Sequence, residues 1–468
     1  MNQYLNKKWA LLITAVMSIF VSCQTYNSKI SSYYTHLAQG SYEAADRDLD
    51  HNKYLQRKRN KLLFLLEKGR TAFLMGDYTA SNQYLNAADS LLESGYHRVW
   101  DQAVGLLTNP AMQQYRGEDF EKLLIHYYKA INYLHLRLPE DAVVEARRIT
   151  LSNNALNDQR NNNANKYSND AFSLILQGII YESAHHINDA FISYRNAADL
   201  YLKNKDNSYY GVKLPEQLQQ DLLRTAYLNG FQSELAYYEQ QFNRTYVPAP
   251  AAPGGELLLF WENGLAPVKA ENNIFFTLTQ NGPGSFGFTD EQHTVFIPFD
   301  FNLFPRDSAH RLKGLQTFRV AFPKYVEQPL YFTQAQVMPD SAHAITLEMV
   351  EDVNKLAFKT LQERFLKEMG LALTRLAIKK LAEHEIKKKD ETAGQVFDAL
   401  SFLTEKADTR NWQSLPYAIY YARIPLNQGN NDISVQLRNI QGTTSKVTLQ
   451  VEGKGILQTR HITSLQRS

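Results

Sequence analysis

The segment closest to a nucleotide-binding motif is Gly282-Pro-Gly-Ser-Phe-Gly287, which matches G-x-G-x-x-G. Such glycines bind a dinucleotide when the motif lies between a strand and a helix, because the helix N-terminus then faces the pyrophosphate. Here the following segment, His293–Phe301, has the pattern of a strand, and Pro283 stands inside the motif. The sequence therefore predicts a glycine-rich hairpin turn and no cofactor.

The histidines lack the spacing of metal ligands. His185 and His186 are adjacent, so on a helix they point in different directions and cannot form an i, i+4 pair. His384 precedes a glutamate but lacks the second histidine of a zinc peptidase motif. We expect no metal site. Four further histidines lie in predicted strands or loops, and none has a second ligand at the spacing of a metal site: His293, His310, His343 and His461.

Motifs of nucleophilic and phosphoryl-transfer enzymes are also missing from the sequence. There is no G-x-S-x-G and no G-x-x-x-x-G-K-[ST], so we predict no catalytic residue. Carboxylates from distant positions can still meet in a folded protein, which leaves a carboxylate-dependent, glycan-active enzyme as a less favoured alternative.

Cys23, the only cysteine, is the one side chain with a predictable covalent chemistry. Lys7 and Lys8 precede the apolar run Trp9–Val21, and the small residue Ser22 stands before the cysteine. This is the pattern of a signal peptide over residues 1–22, since a run of about 13 residues is too short for a membrane span of roughly 20. It resembles the lipobox of bacterial lipoproteins, in which the cysteine receives a diacylglycerol. The alternative is an ordinary secretion signal followed by a coincidental cysteine.

The residues around Cys23 predict a location. Phe20 departs from the usual leucine of a lipobox, as the looser lipoboxes of Bacteroidota allow. Gln24 is not an aspartate, which resembles an outer-membrane address, and residues 24–29 lack the acidic run of a surface-export signal. We therefore expect a lipid-anchored outer-membrane protein that faces the periplasm.

Composition predicts a folded body. The 468 residues are 44% hydrophobic and 12% aromatic, typical of a chain with large cores. Net charge is +2, and the signal peptide takes two lysines with it, so the mature body is neutral. A neutral body gives no electrostatic reason to expect nucleic-acid binding.

The expected fold class is α+β, with an N-terminal, all-α, TPR-like helical repeat domain before a β-rich domain. The helical domain is expected over residues 23–245, with helical periodicity from residue 30, and the proline- and glycine-rich linker 246–255 cannot continue a helix. Residues 256–468 contain short strand-like runs and a long helical stretch at about 348–406, with Gly370 as the expected break and a basic end. A basic amphipathic helix could lie on anionic lipid, but a solvated face of its own domain is the favoured interpretation.

An internal repeat is clearest between Ser173 and Tyr201. Small and large residues alternate there so that two antiparallel helices can approach closely and aromatic rings can fill the gaps between pairs. Looser copies are anchored at Gly69 and Ala130, and a generic helical bundle is the alternative. The predicted packing residues are Gly178, Tyr181, Ala190, Tyr194 and Ala197.

A tryptophan between charged and turn residues marks the segment Ala407–Pro416. In one interpretation Arg410 pairs with Asp408 and Trp412 fills the core. In the other, Arg410 and Trp412 form an exposed partner interface, since both residue types are frequent interface hot spots.

With these features, the chain resembles a family of bacterial envelope lipoproteins with a TPR-like helical half and a β-rich C-terminal half. The resemblance implies a secreted, anchored protein without a cofactor, and it implies no particular activity. Its most specific element is Asp-Thr-Arg-x-Trp-x-x-Leu-Pro. The residues that carry it are Cys23, Gly178, Tyr181, Ala190, Pro267–Lys269, Phe322–Tyr325, Asp408–Arg410, Trp412 and Leu415–Pro416.

The sequence thus favours a membrane-anchored scaffold, and not an enzyme. Its helical repeats would form a concave surface that binds an envelope protein or peptide, while the β-rich domain supports that surface. A more specific version, by analogy with other TPR-type lipoproteins, is an accessory or regulatory factor in cell-wall, polysaccharide or outer-membrane assembly.

Overall fold

The computed structural model describes residues 26–93, 110–158, 170–282, 285–299, 317–338, 344–389, 391 and 406–466. Over these residues the chain combines helix and sheet, with helices up to Phe242 and mainly strands from Gly255 onward. The predicted signal peptide and Cys23 lie outside the described residues.

The first part of the chain consists of helices that follow one another in antiparallel hairpins. Apolar residues recur at three- to four-residue intervals, so each helix has a buried stripe. The helices are α1 Tyr26–Lys29, α2 Ser31–Ala38, α3 Tyr42–His51, α4 Lys61–Leu74, α5 Tyr78–Glu93, α6 Asp119–His135, α7 Pro139–Asp158, α8 Ala171–Ser183, α9 Ile187–Leu202, α10 Glu216–Leu228 and α11 Gln232–Phe242.

Five helical hairpins close with the same turn. One residue in each turn is left-handed, with φ of +73° at Gly40, +78° at Gly76, +60° at Arg137, +62° at His185 and +73° at Gly230. The N–H of the next residue donates to the carbonyl five positions earlier, at 2.8–3.0 Å. This Schellman arrangement satisfies carbonyls at the end of a helix. The recurring unit is therefore a hairpin with a fixed closing turn.

The three copies found in the sequence belong to this series. Gly69, Ala130 and Gly178 each lie seven residues before the left-handed residue of their turn. The hairpins α2/α3 and α10/α11 carry Tyr33 and Leu223 at the same position. A search for small residues missed these two hairpins because their packing positions are large.

The hairpin α8/α9 shows the close approach that was predicted for it. A Cβ on Gly178 would lie 2.3 Å from a ring carbon of Tyr194, so no larger residue fits there. Ala190, Tyr194 and Ala197 have no exposed surface, and Tyr181 is half-buried.

Strands form three four-stranded sheets. Their orders are β10-β11-β3-β14 for the central sheet, β13-β12-β8-β9 for the second and β6-β5-β4-β7 for the third, and a small hairpin joins β1 to β2. All pairs are antiparallel except β14 with β3. The strands are β1 Ser208–Tyr209, β2 Val212–Lys213, β3 Gly255–Asn263, β4 Val268–Gly282, β5 Ser285–Asp290, β6 Phe296–Phe299, β7 Phe318–Val326, β8 Phe332–Met338, β9 Ile345–Thr346, β10 Glu348–Asp352, β11 Ala418–Pro425, β12 Gly429–Asn439, β13 Thr444–Gly453 and β14 Ile456–Ser464.

Strand β3 is buried on both faces. Leu258 and Phe260 pack into the core shared with the helices, whereas Leu257, Leu259 and Trp261 pack into the core shared with the second sheet. A continuous apolar run is what a strand covered on both sides requires. The central sheet is therefore the middle layer of three.

The strands on either side of the glycine-rich motif pair as the predicted hairpin requires, and Pro283 and Gly284 lie outside the described residues. Strands β4 and β5 are antiparallel, and Gly282 lies opposite Ser285. The next element in the described residues is strand β6, so the motif does not lead directly into a helix whose N-terminus could face a pyrophosphate.

The long helix differs from the prediction at its start and in its middle. It is α12 Val353–Lys389, and residues 348–352 form strand β10 instead. The helix continues through Gly370 without a break, because Met369 and Leu373 are buried on either side of it. Packing thus outweighs the low helix propensity of one glycine. Residues 392–405 lie outside the described part. The eight asparagines of Leu151–Asp170 favour a loop there, but α7 extends to Asp158.

The helical part and the strands share one hydrophobic core. Ion pairs cross between them without exposure to solvent: Arg70 with Glu262 at 2.5 Å, and Arg423 with Glu182 at 2.8 Å. Residues 246–252 of the predicted linker have no regular secondary structure. The linker therefore separates two kinds of secondary structure, which then pack against each other.

Candidate functional site

Arg410 and Trp412, considered from the sequence as a partner interface, are buried. Trp412 exposes none of its surface, and Arg410 only 1%. Arg410 pairs with Asp408 at 2.6 Å and donates to Asn60 Oδ1 at 2.8 Å. The backbone N–H of Trp412 donates to Glu121 Oε1 at 2.8 Å. The partner-interface interpretation is therefore corrected, since both residues join helices to the segment between α12 and β11.

The concave side of the helices is also occupied. Twelve of the fourteen residues of α4, twelve of the seventeen of α6 and ten of the thirteen of α8 are buried. Such helices are covered on two sides, by their hairpin partners and by the central sheet. For example, Tyr127 of α6 donates its hydroxyl to Glu262 Oε1 of β3 at 3.0 Å. The surface expected to bind a partner thus binds the chain's own sheet.

Asp89, His126 and Glu145 present ligand atoms of metal-binding type within 4.8 Å of one another. Lys129 Nζ lies 2.8 Å from Asp89 and 3.0 Å from Glu145, and Arg148 lies 2.8 Å from Asp89. Two cations already balance the two carboxylates, so the cluster forms a buried ion-pair network. Sequence inspection missed His126 because its partners belong to two other helices.

Asp170 and Glu351 form a second buried cluster, a hydrogen-bonded pair of carboxyl groups. Burial raises the pKa of Glu351 well above its usual range, and the neighbouring Asp170 raises it further. Asp170 also caps α8 by accepting from the Ser173 N–H at 2.9 Å. The adjoining cavity of about 10 Å³ holds at most one water molecule. This pair has no room for a glycan.

Among the described residues, a groove of about 1020 Å³ combines a large volume with charged and aromatic side chains. It lies between the end of α9, the β1–β2 hairpin and the first turns of α12. We call it the lysine groove. Its lining is Leu200, Lys203, Asn204, Tyr209, Tyr210, Glu327, Asn354, Lys355, Phe358, Lys359, Gln362 and Tyr417.

One face of α12 forms a wall of the lysine groove. Lys355, Phe358, Lys359 and Gln362 follow the i, i+3, i+4, i+7 pattern that places side chains on the same side of a helix. Asp352 caps this helix by accepting from the Lys355 N–H at 2.8 Å. The cap fixes the first turn and thereby the direction of these four side chains.

The opposite wall is the β1–β2 hairpin. Tyr210 and Gly211 connect the two strands, and both have positive φ, +47° and +81°. A two-residue loop of this kind is a type I′ turn, which matches the twist of a hairpin. Tyr209 and Tyr210 make an edge-to-face contact with ring centroids 4.7 Å apart. Lys355 reaches this wall, since a Cβ on Gly211 would lie 2.4 Å from its Cδ.

Positive charge exceeds negative charge in the lysine groove. Lys203, Lys355 and Lys359 line it, against a single carboxylate, Glu327. Tyr417 donates its hydroxyl to Glu327, and burial followed by this hydrogen bond raises the pKa of Tyr417. Among the described residues, no carboxylate pairs with Lys203 or Lys359. Lys355 pairs with Asp352 at 3.4 Å, so an anionic group in the groove would meet two lysines without a carboxylate partner among the described residues, Lys203 and Lys359.

The lining offers several kinds of group that can bind a ligand. Aromatic rings, amides and ammonium groups can hold an extended ligand, while the described lining contains no histidine, cysteine or serine. The sequence contained a local signal that was not used: Tyr-Tyr-Gly in a turn, and lysines at helical spacing after Asp352. Only the fold shows that these segments face each other.

Among the described residues, none of the helices combines the length and apolarity needed to cross a membrane. No family model and no curated protein matches the chain. Solved structures with partial similarity include MamA, at 13% identity over 44% of this chain and 90% of that chain with a TM-score of 0.28. A MamA fragment (residues 41 to the end) from Desulfovibrio magneticus RS-1 is 15% identical over 46% of this chain and 92% of that chain, with a TM-score of 0.29. NprR in complex with its cognate peptide NprX is 16% identical over 46% of this chain and 53% of that chain, with a TM-score of 0.25. These TM-scores are too low to support an argument about fold or function.

Proposed function

We propose that this protein is a lipid-anchored protein of the cell envelope that binds an acidic, extended peptide segment of a partner in the lysine groove. The observation that carries the proposal is the excess of lysines over carboxylates in a groove that is otherwise aromatic and amide-rich. The protein would act as an interaction protein and not as an enzyme.

Anchoring rests on the sequence around Cys23, which resembles a lipobox, and the expected site is the periplasmic face of the outer membrane. The structure is compatible with a short anchor. Tyr26, three residues after the cysteine, is only 3% exposed, and Asn27 donates to the carbonyl of Lys269 at 2.8 Å. The body would therefore be held close to the lipid.

A peptide fits the groove better than a small molecule. A volume of about 1020 Å³ lies at the upper end of small-molecule pockets, which hold roughly 300–1,000 Å³. The exposed Gln362 can bond a peptide backbone as donor and acceptor, and Asn204 can accept through Oδ1 while its Nδ2 donates to the Ser208 carbonyl at 2.6 Å. The lysines would select acidic side chains, and the rings would pack on the chain between them.

An acidic glycan is the second candidate ligand, because rings and amides also suit sugars. It would connect the protein to cell-wall or polysaccharide assembly, as an accessory factor. The lysines alone do not distinguish a uronic acid from a glutamate, so the binding experiment includes both.

Binding of a fluorescent octapeptide of alternating glutamate and glycine tests the proposal by anisotropy. We expect Lys203→Gln/Lys359→Gln to weaken binding by roughly tenfold or more, since each lost ion–ion contact costs part of the affinity. The control Lys324→Gln/Lys446→Gln removes two exposed lysines outside the groove and should bind like the wild type. Equal binding by the groove variant, or tighter binding of a uronic-acid oligosaccharide than of the peptide, would overturn the peptide proposal.

The same groove can be tested in cells with a photo-crosslinking residue at Gln362, matched by one at the exposed Gln450. We expect an adduct at position 362 that disappears in Lys203→Gln/Lys359→Gln and in the mislocalised Cys23→Ala protein. An adduct that persists in the groove variant would place the partner on another surface.

A further inference from the structure

Residues 52–61, between α3 and α4, carry an unusual charge. The segment reads Asn-Lys-Tyr-Leu-Gln-Arg-Lys-Arg-Asn-Lys, with five basic residues and no acidic residue. Lys53, Arg57, Lys58 and Lys61 are exposed, and Arg59 is half-buried. The mature body as a whole is neutral, so this is a local concentration of positive charge.

These cations are not neutralised by neighbours. The acidic residues at the end of α3 are engaged elsewhere: Asp46 and Asp50 pair with Lys68 at 2.8 and 2.9 Å, and Asp48 pairs with His36. Within the described chain, none of the five basic residues of 52–61 forms an ion pair. Their charge is therefore available to an external anion.

Tyr54 gathers the cations on one side of the molecule. Its ring lies 4.8 Å from Lys29 Nζ and 5.8 Å from the guanidinium carbons of Arg57 and Arg59. Cations gain electrostatic energy over an aromatic face, so the ring keeps these three side chains together. We call Lys29, Lys53, Arg57, Lys58, Arg59 and Lys61 the basic patch.

The basic patch lies beside the start of the folded body. The Tyr26 and Tyr54 rings are 6.4 Å apart, and Asn52 donates to the carbonyl of Lys29 at 2.9 Å. Tyr26 is fixed by the body, because the neighbouring Asn27 accepts from Gln413 Nε2 at 2.6 Å. Tyr26 lies three positions after Cys23, and a chain of that length spans at most about 11 Å.

We propose that the basic patch docks on the anionic phospholipid headgroups of the membrane that holds the anchor, and so fixes the orientation of the body on that membrane. This inference rests on the proposed lipid anchoring. Tyr26 can lie at most about 11 Å from the acylated residue and the basic patch lies beside Tyr26, so the anchor would hold the patch near the headgroups, whose phosphates act over a Debye length of roughly 10 Å. Tyr54, half-buried, adds a ring of the kind that is frequent at membrane interfaces.

Cosedimentation with lipid vesicles tests the basic patch apart from the anchor. The chain that starts at Gln24 carries no lipid and retains every contact described, because those contacts begin at Tyr26. We expect it to bind vesicles of equimolar phosphatidylcholine and phosphatidylglycerol, not vesicles of phosphatidylcholine alone, and to dissociate at about 0.5 M salt.

Two variants of equal charge decide the result. Lys53→Gln/Arg57→Gln/Lys58→Gln/Lys61→Gln should weaken binding by roughly 600-fold, at roughly fivefold for each of the four charges near the surface. The control Lys324→Gln/Arg438→Gln/Lys446→Gln/Lys454→Gln removes four exposed basic residues elsewhere and should bind like the unaltered chain. Equal weakening by both variants, or equal binding to both kinds of vesicle, would overturn the proposal.

The mass of the N-terminal peptide purified from cells keeps this test separate from the anchoring proposal. A diacylglycerol-modified Cys23 together with no selective vesicle binding would reject the basic patch alone. Selective vesicle binding together with an unmodified cysteine would reject the anchor and leave the patch as an independent membrane contact.

Discussion

Arg70 and Glu262 meet at 2.5 Å, and neither side chain has any exposed surface. Arg70 belongs to α4 and Glu262 to β3, so this ion pair joins the helices to the central sheet. Two rings flank the guanidinium, those of Phe73 and Tyr128, at 5.2 and 4.8 Å. This ion pair favours one relative position of the two layers, because a shift between them would leave each charge buried without its partner.

Removing one charge of this pair should destabilise the protein strongly. For Glu262→Gln we expect the free energy of unfolding to fall by about 3–5 kcal/mol, because the Arg70 charge stays buried without compensation. The double variant Arg70→Met/Glu262→Leu should recover part of that loss. Chemical denaturation measures both, and Glu452→Gln in the exposed pair with Lys454 serves as control, with a change under about 1 kcal/mol. A loss no larger than that of the control would contradict the interlocking role.

Glu67 should make stability depend on pH. Burial raises the pKa of Glu67 to about 7, although hydrogen bonds to its carboxylate partly oppose the rise. Because the unfolded chain loses this proton near pH 4.5, the stabilising contribution is complete below that pH and is lost as the pH rises through 7. The stability difference between wild type and Glu67→Gln should therefore shift by about 3 kcal/mol against the wild type between pH 4.5 and 8.

The difference between these two proteins is the proper measure for Glu67. Burial lowers the pKa of His135 to about 4 and that of His461 well below its usual range, so both histidines act in the opposite direction as the pH rises. They are present in both proteins and cancel in the difference. A difference that stays constant with pH would show that Glu67 is ionised in the folded protein.

Two glycines inside helices should respond in opposite ways to the same substitution. Gly178→Ala should lower the free energy of unfolding by about 1–3 kcal/mol, because the new methyl group would overlap the buried Tyr194 ring. Gly370→Ala should raise it by roughly 0.5–1 kcal/mol, since the nearest atom to its Cβ is 3.7 Å away and alanine favours a helix. Thermal or chemical unfolding checks both. A Gly178→Ala variant that is not destabilised would contradict the close approach of α8 and α9, and a destabilised Gly370→Ala variant would contradict the free space beside Gly370.

Substitutions of Trp412 and Phe358 should show that the first residue stabilises the fold and the second binds the peptide. Trp412→Ala should cost about 3–5 kcal/mol of stability, because it empties a fully buried site. Phe358, 40% exposed in the lysine groove, should cost less than about 1 kcal/mol as Phe358→Ala and yet weaken binding of the acidic peptide. Unfolding and anisotropy together distinguish the two. If Phe358→Ala binds the peptide as tightly as the wild type, the α12 face of the lysine groove does not contribute to the binding site.

Local patterns predicted much of the secondary structure. The first of the strand-like runs predicted in residues 256–468 is strand β3, Gly255–Asn263, and the hairpin of Gly178 and Tyr194 packs as its small residue requires. Both depend on residues close together in the chain. The same reasoning placed a break at Gly370 because it considered propensity and not the apolar residues that hold the helix on its sheet.

The candidate sites depend on long-range contacts and could not be found this way. The lysine groove combines Lys203 with Lys359 and Tyr417, which are far apart in the sequence. Whether Arg410 is a buried structural residue or an exposed interface residue depends on whether helices cover it. Its hydrogen-bond partner Asn60 is 350 residues away in the sequence, so local patterns could not decide this. The expected concave binding surface was assigned to a partner because nothing in a helical repeat shows that a later sheet occupies it.

The parallel pairing of β14 with β3 has a consequence for the order of folding. Ser464 pairs with Asn263, which precedes it by 201 residues, and donates its hydroxyl to Asn263 Oδ1 at 3.0 Å. The central sheet is therefore incomplete until the chain has been made as far as Ser464. The helices are synthesised first, yet their inner faces have no cover until that sheet forms. Strands that are far apart in the sequence must come together before their contacts can stabilise the sheet. Folding should therefore be slow and late, and the apolar faces of the helices should stay exposed until the central sheet forms.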